Sequence, residues 1–435
     1  MRRVTRKEKR EKEEKINFFE EFIKVKKHFF KAIEKRLKRT KDPRHQSYIE
    51  YEADILLFVV IMKNICGIPS MTNMTEKFNK DDCIENISKV LGYDTLEELP
   101  HYDTINNYLC NLETTEVEKI RDYMIGELLK KRSLERFRLL DKYWCVAVDG
   151  TGLYSFQERH CKHCLKKEYK NKETDEVERT VYYHQVLEAK LIAGDMVFSI
   201  GTEFIENEDE NVSKQDCEIN AFKRLQVKLK NKYPKLPICL LGDSLYACES
   251  VFEICDKNNW KYLFRFKEGR IKSVAKEFEI LKKVDDKKET DCTWINGISY
   301  KERYVNLIEA EIDTTKGKKE FVFITNIKIT NRNSEAIVCF GRSRWKIENQ
   351  GFNNQKTKKY NLEHANCKNY NAMQNHYLIT QIADILRQLF EEGLPIIREL
   401  QKGIKEISSV LLESFRTDTL TNTEDIHKRI QIRFT

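Results

Sequence analysis

Apolar positions recur every three or four residues from Phe18 through Phe22, Val25, Phe29 and Ile33 to Leu37. That spacing predicts a helix with one buried stripe. Tyr48 to Ile65 predicts a second, built around the apolar run Ile55 to Met62. His101 to Leu109, with Asp103 as the expected N-cap, suits a helix of a helix-turn-helix. Residues 1–140 therefore read as an all-helical region. Near residue 141 the period changes. Trp144 to Val148 is a short Val-rich run of buried-strand type that ends at Asp149. After a Lys-rich polar stretch (158–180) come two β-like runs, Val181 to Ala193 and Met196 to Ile205, split by Gly194-Asp195.

A helix is expected from Cys217 to Lys230, stopped by Pro234 and Pro237, then a strand from Ile238 to Gly242 ending at Asp243. Val251 to Asn258 reads as a helix and Tyr262 to Phe266 as a fifth strand. Three antiparallel strands followed by crossovers that add parallel ones is the order of a ribonuclease H-like core. The expected fold is therefore α/β (α+β), with this division: a helical, basic, DNA-binding region (1–140), the first part of the core (141–268), a β-rich insertion (269–338), the rest of the core (339–395) and a helical tail (396–435). In the insertion, Thr293 to Tyr300 and Glu320 to Ile329 read as strands. Beyond it, Arg344 to Lys359 and Ala372 to Phe390 read as helices.

Charge refines this picture. The net charge is +8, but residues 1–45 alone hold 18 Lys or Arg against 8 Asp or Glu. A basic arm on a near-neutral body suits contact with a polyanion, although a solvated charged helix has the same composition. The longest apolar run is far below the roughly 20 residues that span a bilayer, and the basic start is no secretory signal. A cytoplasmic, nucleoid-associated protein with no membrane partner is expected. The thirteen cysteines agree with a reducing compartment, most of them standing singly in apolar runs, as with Cys145, Cys239, Cys255 and Cys339.

Three carboxylates fall at distinctive places. Asp149 and Asp243 end the first and fourth strands, which are neighbours in such a sheet, and Glu348 sits on the helix after the insertion. Acids crowded in this way repel one another unless cations neutralise them. Hard oxygen donors select Mg²⁺ or Mn²⁺, and two such ions about 4 Å apart activate a nucleophile and stabilise the leaving oxygen of a phosphodiester. An Asp before Gly-Thr is also an ordinary turn former. Around Glu348 the run RWKIENQGFNNQK (344–356) sets Arg344 one helical turn before the acid and Lys356 two turns after it. With Lys346, these are candidate DNA-phosphate contacts, though an Arg-Glu-Lys helix pair has the same spacing.

These residues resemble bacterial insertion-sequence transposases of the DDE class, in the group with a β-strand insertion before the catalytic Glu. The matching motifs are VAVDGT (146–151), KQDCEINAFKR (214–224), GDSLY (242–246) and RWKIENQGFNNQK, and the likeness covers about residues 95 to 390. In that group the last motif reads Tyr, two residues, Arg, three residues, Glu, six residues, Lys. Arg344 and Glu348 are in register, the Tyr position is Gly341, and the Lys position is Gln355, with Lys356 one place late. The resemblance implies cut-and-paste cleavage at the inverted-repeat ends of a transposon and strand transfer into target DNA, often through a hairpin. It also implies a homodimer on paired ends. An aromatic in the insertion, here Trp294, stacks a flipped base in related transposases; a core Trp is the plainer reading.

One further pattern stands apart. His160-Cys161-Lys162-His163-Cys164 is a CxxC knuckle, half of a Zn²⁺ site, with His184 or Cys217 as candidates to complete it. A reduced surface hairpin is the other reading. His364, Asn366 and His376 read as structural. Two functions compete with transposition: a DNA-binding regulator derived from a transposase that no longer cuts, and a host nuclease on the same fold.

Overall fold

The computed structural model describes residues 16–284, 292–314, 317–420 and 430–434. The first third of the basic arm, residues 1–15, lies outside them. Two compact units result: residues 1–133, 153–183 and 353–435 form one, and residues 134–152 and 184–352 the other.

The first unit is mostly helical: α1 (Phe18–Phe29), α2 (Ile33–Lys38), α3 (Ala53–Ile65), α4 (Met71–Phe78), α5 (Asp81–Leu91), α6 (Tyr102–Asn111) and α7 (Thr114–Leu129) open the chain. Asn17 caps α1 by accepting the Glu20 N–H at 2.8 Å, and the predicted stripe of Phe18, Phe22, Val25 and Phe29 is buried. The second predicted helix begins at Ala53, five residues later than expected, because Gln46–Tyr48 forms a separate 3₁₀ turn. Every residue of α3 is buried. The N-cap of α6 is His101, whose side chain accepts the Asp103 N–H; the expected cap, Asp103, already lies inside the first turn.

The second unit is built on a sheet. In chain order the strands of that sheet and the helices among them are β1 (Trp144–Phe156), β2 (Leu165–Lys170, within the first unit), β3 (Val177–Ala193, which enters the second unit at His184), β4 (Met196–Ile205), α8 (Glu218–Lys232), β5 (Ile238–Gly242), α9 (Glu249–Asn258), β6 (Lys261–Arg265), α10 (Lys272–Val284), β7 (Cys292–Tyr300), β8 (Arg303–Thr314) and β9 (Gly317–Thr325). Next come α11 (Ser334–Ser343) and a π-helix over Ile347–Lys359. The chain closes, within the first unit, on α12 (Tyr370–Gly393), α13 (Pro395–Leu400) and α14 (Ile404–Thr417). There α12 packs on α3, α6 and α7, and its Asn371 and Asn375 donate to the carbonyls that end α6. Among the described residues, no helix is long and apolar enough to cross a membrane.

The strand order is β2-β3-β1-β5-β6-β9-β8-β7, with β4 paired to β3. Strands β1, β5 and β6 are parallel neighbours, and β9 runs antiparallel to β6. The insertion strands therefore extend the core sheet. Strand β1 does not stop at Asp149 but continues to Phe156. The polar stretch before β3 contains β2, whose Lys-rich, largely exposed face hid its strand character. The core of this unit lies on one face of β1 and β5. Cys145, Ala147, Cys239 and Leu241 pack there with Ile337, Val338, Ile347 and Phe352. Of the cysteines expected in apolar runs, Cys145, Cys239 and Cys255 are buried, whereas Cys339 faces solvent on α11.

Candidate active site

Side chains alternate between the two faces of a strand. Asp149 follows Cys145 and Ala147 on one face of β1, as Asp243 follows Cys239 and Leu241 beyond β5. The parallel register pairs Cys145 with Cys239 and Ala147 with Leu241, and the same offset carries Asp149 to the level of Asp243. The face they share is the one covered by Ile347 and Phe352, which flank Glu348 on the π-helix. Asp149 accordingly feels the charge of both Asp243 and Glu348.

Each acid is held differently. The Asp149 carboxylate accepts the Gly150 N–H at 3.0 Å and pairs with the Arg344 guanidinium at 3.1 Å. Burial pushes its pKa up to about 6; Arg344 pulls it down, while Asp243 and Glu348 push it up. Asp243 caps the 3₁₀ turn Ser244–Tyr246 by accepting the Leu245 N–H at 2.7 Å. Arg270 clamps that turn from outside by donating to the carbonyls of Ser244 and Leu245.

A fourth acid joins this set. Glu218, the first residue of α8, is pushed up to about 7 by burial and by the charges of Asp149 and Asp243. Gln185 of β3 donates to it at 3.2 Å. Its approach depends on Gly150, where a Cβ would lie only 2.5 Å from a Glu218 carboxylate oxygen. Sequence reasoning passed over Glu218 although it sits inside the quoted KQDCEINAFKR motif. The usable signal was an acid at the first turn of the helix that follows the antiparallel strands.

The remaining candidates divide. Arg344 is at the site. Lys346 instead donates to the Gly194 carbonyl and to Asp195 in the β3–β4 turn. Lys356 pairs with Glu363 at 3.1 Å, and Gln355, at the motif's Lys position, is buried and bonded to Gln381 and Asp384. Gly341 stands at the Tyr position because α11 lies against β9 there: a Cβ would meet the Phe323 ring at 2.7 Å. Trp294 is partly buried against the core. Trp345 is 48% exposed, with the Arg344 guanidinium 5.2 Å from its ring centre. It lines a groove of about 620 Å³ with Lys319, Phe321, Arg342 and Lys346. His364 is exposed, Asn366 accepts from Lys63 at 3.2 Å, and buried His376 bonds Asn106 at 2.8 Å.

A mixed sheet with parallel β1, β5 and β6 and an antiparallel flank, with acids on one face of neighbouring strands, is the arrangement of a ribonuclease H-like core. Residues 208–385 match the family model described as the transposase DDE domain. Over that span the chain is similar to transposases of the DDE class. The matched span contains Glu218, Asp243, Arg344 and Glu348; Asp149 precedes it. No match to a curated protein was found.

Proposed function

We propose that this chain is a cut-and-paste transposase that cleaves DNA at transposon ends and transfers the freed strand to a target, with Asp149, Asp243 and Glu348 holding two Mg²⁺ or Mn²⁺ ions. The observation that carries this reading is the shared sheet face and register of Asp149 and Asp243, with Glu348 close enough to shift the Asp149 pKa. The donor set fits the ions: all are hard oxygens, and two of the four acids have raised pKa values because they are buried together. Divalent ions bound there supply a lowered pKa for the attacking water or 3′-hydroxyl and charge stabilisation at the leaving oxygen.

The protein's own groups do the rest. Asp243 is oriented by its turn, and Asp149 by Gly150 and Arg344. Once the acids are occupied, the Arg344 guanidinium is available to a DNA phosphate, for which its planar fork is suited. Trp345, exposed beside it, offers a face on which an unpaired base stacks. The basic side chains Lys319 and Arg342 line the same groove and suit a backbone. The DNA partner is double-stranded, transposon ends and target alike, and the working form is a homodimer on paired ends.

The test is a labelled transposon end incubated with purified protein and Mg²⁺. Asp149→Ala, Asp243→Ala and Glu348→Ala should each cut at least about a hundredfold more slowly, about 3 kcal/mol of barrier, while still retarding the end in a gel. Normal cutting by any of the three overturns the assignment. Binding without nicking by the parent chain favours a regulator, and digestion without joining favours a nuclease.

A further inference from the structure

The transposition chemistry proposed above makes no use of the CxxC knuckle. Cys161 and Cys164 bracket a tight turn in which the Cys164 N–H bonds the Cys161 carbonyl at 3.4 Å. Their sulfurs are 3.5 Å apart, and neither is in a disulfide. Cys164 directly precedes β2. Because Leu165 pairs with Tyr183 in the β2–β3 ladder, the next residue along β3, His184, falls opposite Cys164. The hairpin's own register thus fixes the placement. His160, one residue before the knuckle, completes the group. One ligand atom from each of His160, Cys161, Cys164 and His184 lies within 4.8 Å of all the others.

We infer that these four side chains form a structural Zn²⁺ site that ties the turn before β2 to strand β3. Zn–S bonds of about 2.3 Å and Zn–N bonds of about 2.0–2.1 Å give a tetrahedron with edges of about 3.3–3.8 Å. The sulfur–sulfur distance already has that size, and the other edges close by about 1.5 Å or less from the 4.8 Å limit. Two thiolates and two neutral imidazoles bring the charge of a divalent ion to zero. That balance suits a site in which Cys164 and His184 are buried, since an uncompensated charge there is costly. The S₂N₂ set selects zinc over the hard ions of the acidic site. All four positions are filled by protein, as in sites that hold structure and do no chemistry.

Two neighbouring candidates are set aside by the same geometry. His163, between the cysteines, stacks on Tyr370 with ring centres 4.6 Å apart. Cys217 is an exposed residue that precedes α8.

Metal analysis of the full-length chain, purified without chelator and desalted from excess ZnSO₄, tests the assignment. One tightly held zinc per chain is expected in the parent protein. It should fall to background in Cys161→Ser and Cys164→Ser, and persist in His163→Ala and in Asp149→Asn. Replacement by Co²⁺ should give the visible absorption of a tetrahedral site with a thiolate-to-metal band. This second measurement on the parent chain stands even if a cysteine variant fails to fold. An absence of zinc, zinc retained by the cysteine variants, an octahedral Co²⁺ spectrum or a Cys161–Cys164 disulfide in the intact mass would each overturn the site.

Discussion

Acids crowded as Asp149, Asp243 and Glu218 are cost the fold stability when all are ionised. Glu218 shows this most clearly, because no basic side chain is among the influences on it, only Asp149, Asp243 and the amide of Gln185 apart from burial and Tyr246. Its folded pKa, about 7, lies above the usual carboxylate value near 4.3. The folded state therefore holds a proton that the unfolded chain has released. Stability from this group is present at low pH and is lost as pH rises from about 4 to about 7. In metal-free buffer, Glu218→Gln should raise the melting temperature at pH 8 and leave it unchanged near pH 4. Equal melting temperatures at pH 8 would count against the crowding. Added Mg²⁺ should stabilise the parent more than the variant. Gly150→Ala belongs to the same scale: its methyl enters the space of the Glu218 carboxylate and should displace that group, weakening Mg²⁺-induced stabilisation. Asp149 and Asp243 stood out in the sequence because each follows a short apolar run. Glu218 was not, since one acid in a helix's first turn resembles any favourable helix-dipole residue.

Among the elements, those with simple patterns were legible: the buried runs of β1, β4 and β5, the stripe of α1. The ones that escaped break the period. β2 is mostly polar and earns its place through backbone pairing to β3. The segment after α11 is a π-helix, in which the Tyr360 N–H reaches back to Gln355. Spacing arguments built on 3.6 residues per turn misplace side chains there. There Gln355, at the motif's Lys position, turns into the protein, and Lys356 pairs with Glu363. The packing of α11 gives a direct check. Gly341→Tyr restores the family's residue, yet it must displace the Phe323 ring and should destabilise by about 1–3 kcal/mol, read as a lower denaturant midpoint. A neutral or stabilising outcome would mean α11 stands off from β9. Within α12, burial lowers the His376 pKa to about 3, with Lys63 adding to the effect. The unfolded chain takes up a proton below about pH 6.5 that the folded one refuses, so stability is lost as pH falls from about 6.5 to about 3. His376→Gln should flatten that acid limb in thermal melts across the range. An unchanged limb would assign the loss to other groups.

For the whole molecule, the fold class could be read from element order, and the transposase DDE domain match agrees with it. What the sequence did not convey is how the chain is apportioned. Residues 353–435 cluster with residues 1–133, because α12 buries its length against α3, α6 and α7. Such long-range pairings leave no periodic trace. Salt dependence belongs at this scale. If Arg344 contacts phosphate, Arg344→Ala should lessen the slope of log affinity against log salt by roughly 0.9, one counterion's worth; an identical slope would remove it from the DNA face. The joining of β9 to β6 carries one more consequence. Leu263, Phe264 and Arg265 share their ladder with Thr325, Ile324 and Phe323, so the insertion seals what is otherwise a raw flank of backbone donors and acceptors. Trimming it away would bare that flank to other copies and should yield a sticky, self-associating core in place of a smaller soluble one.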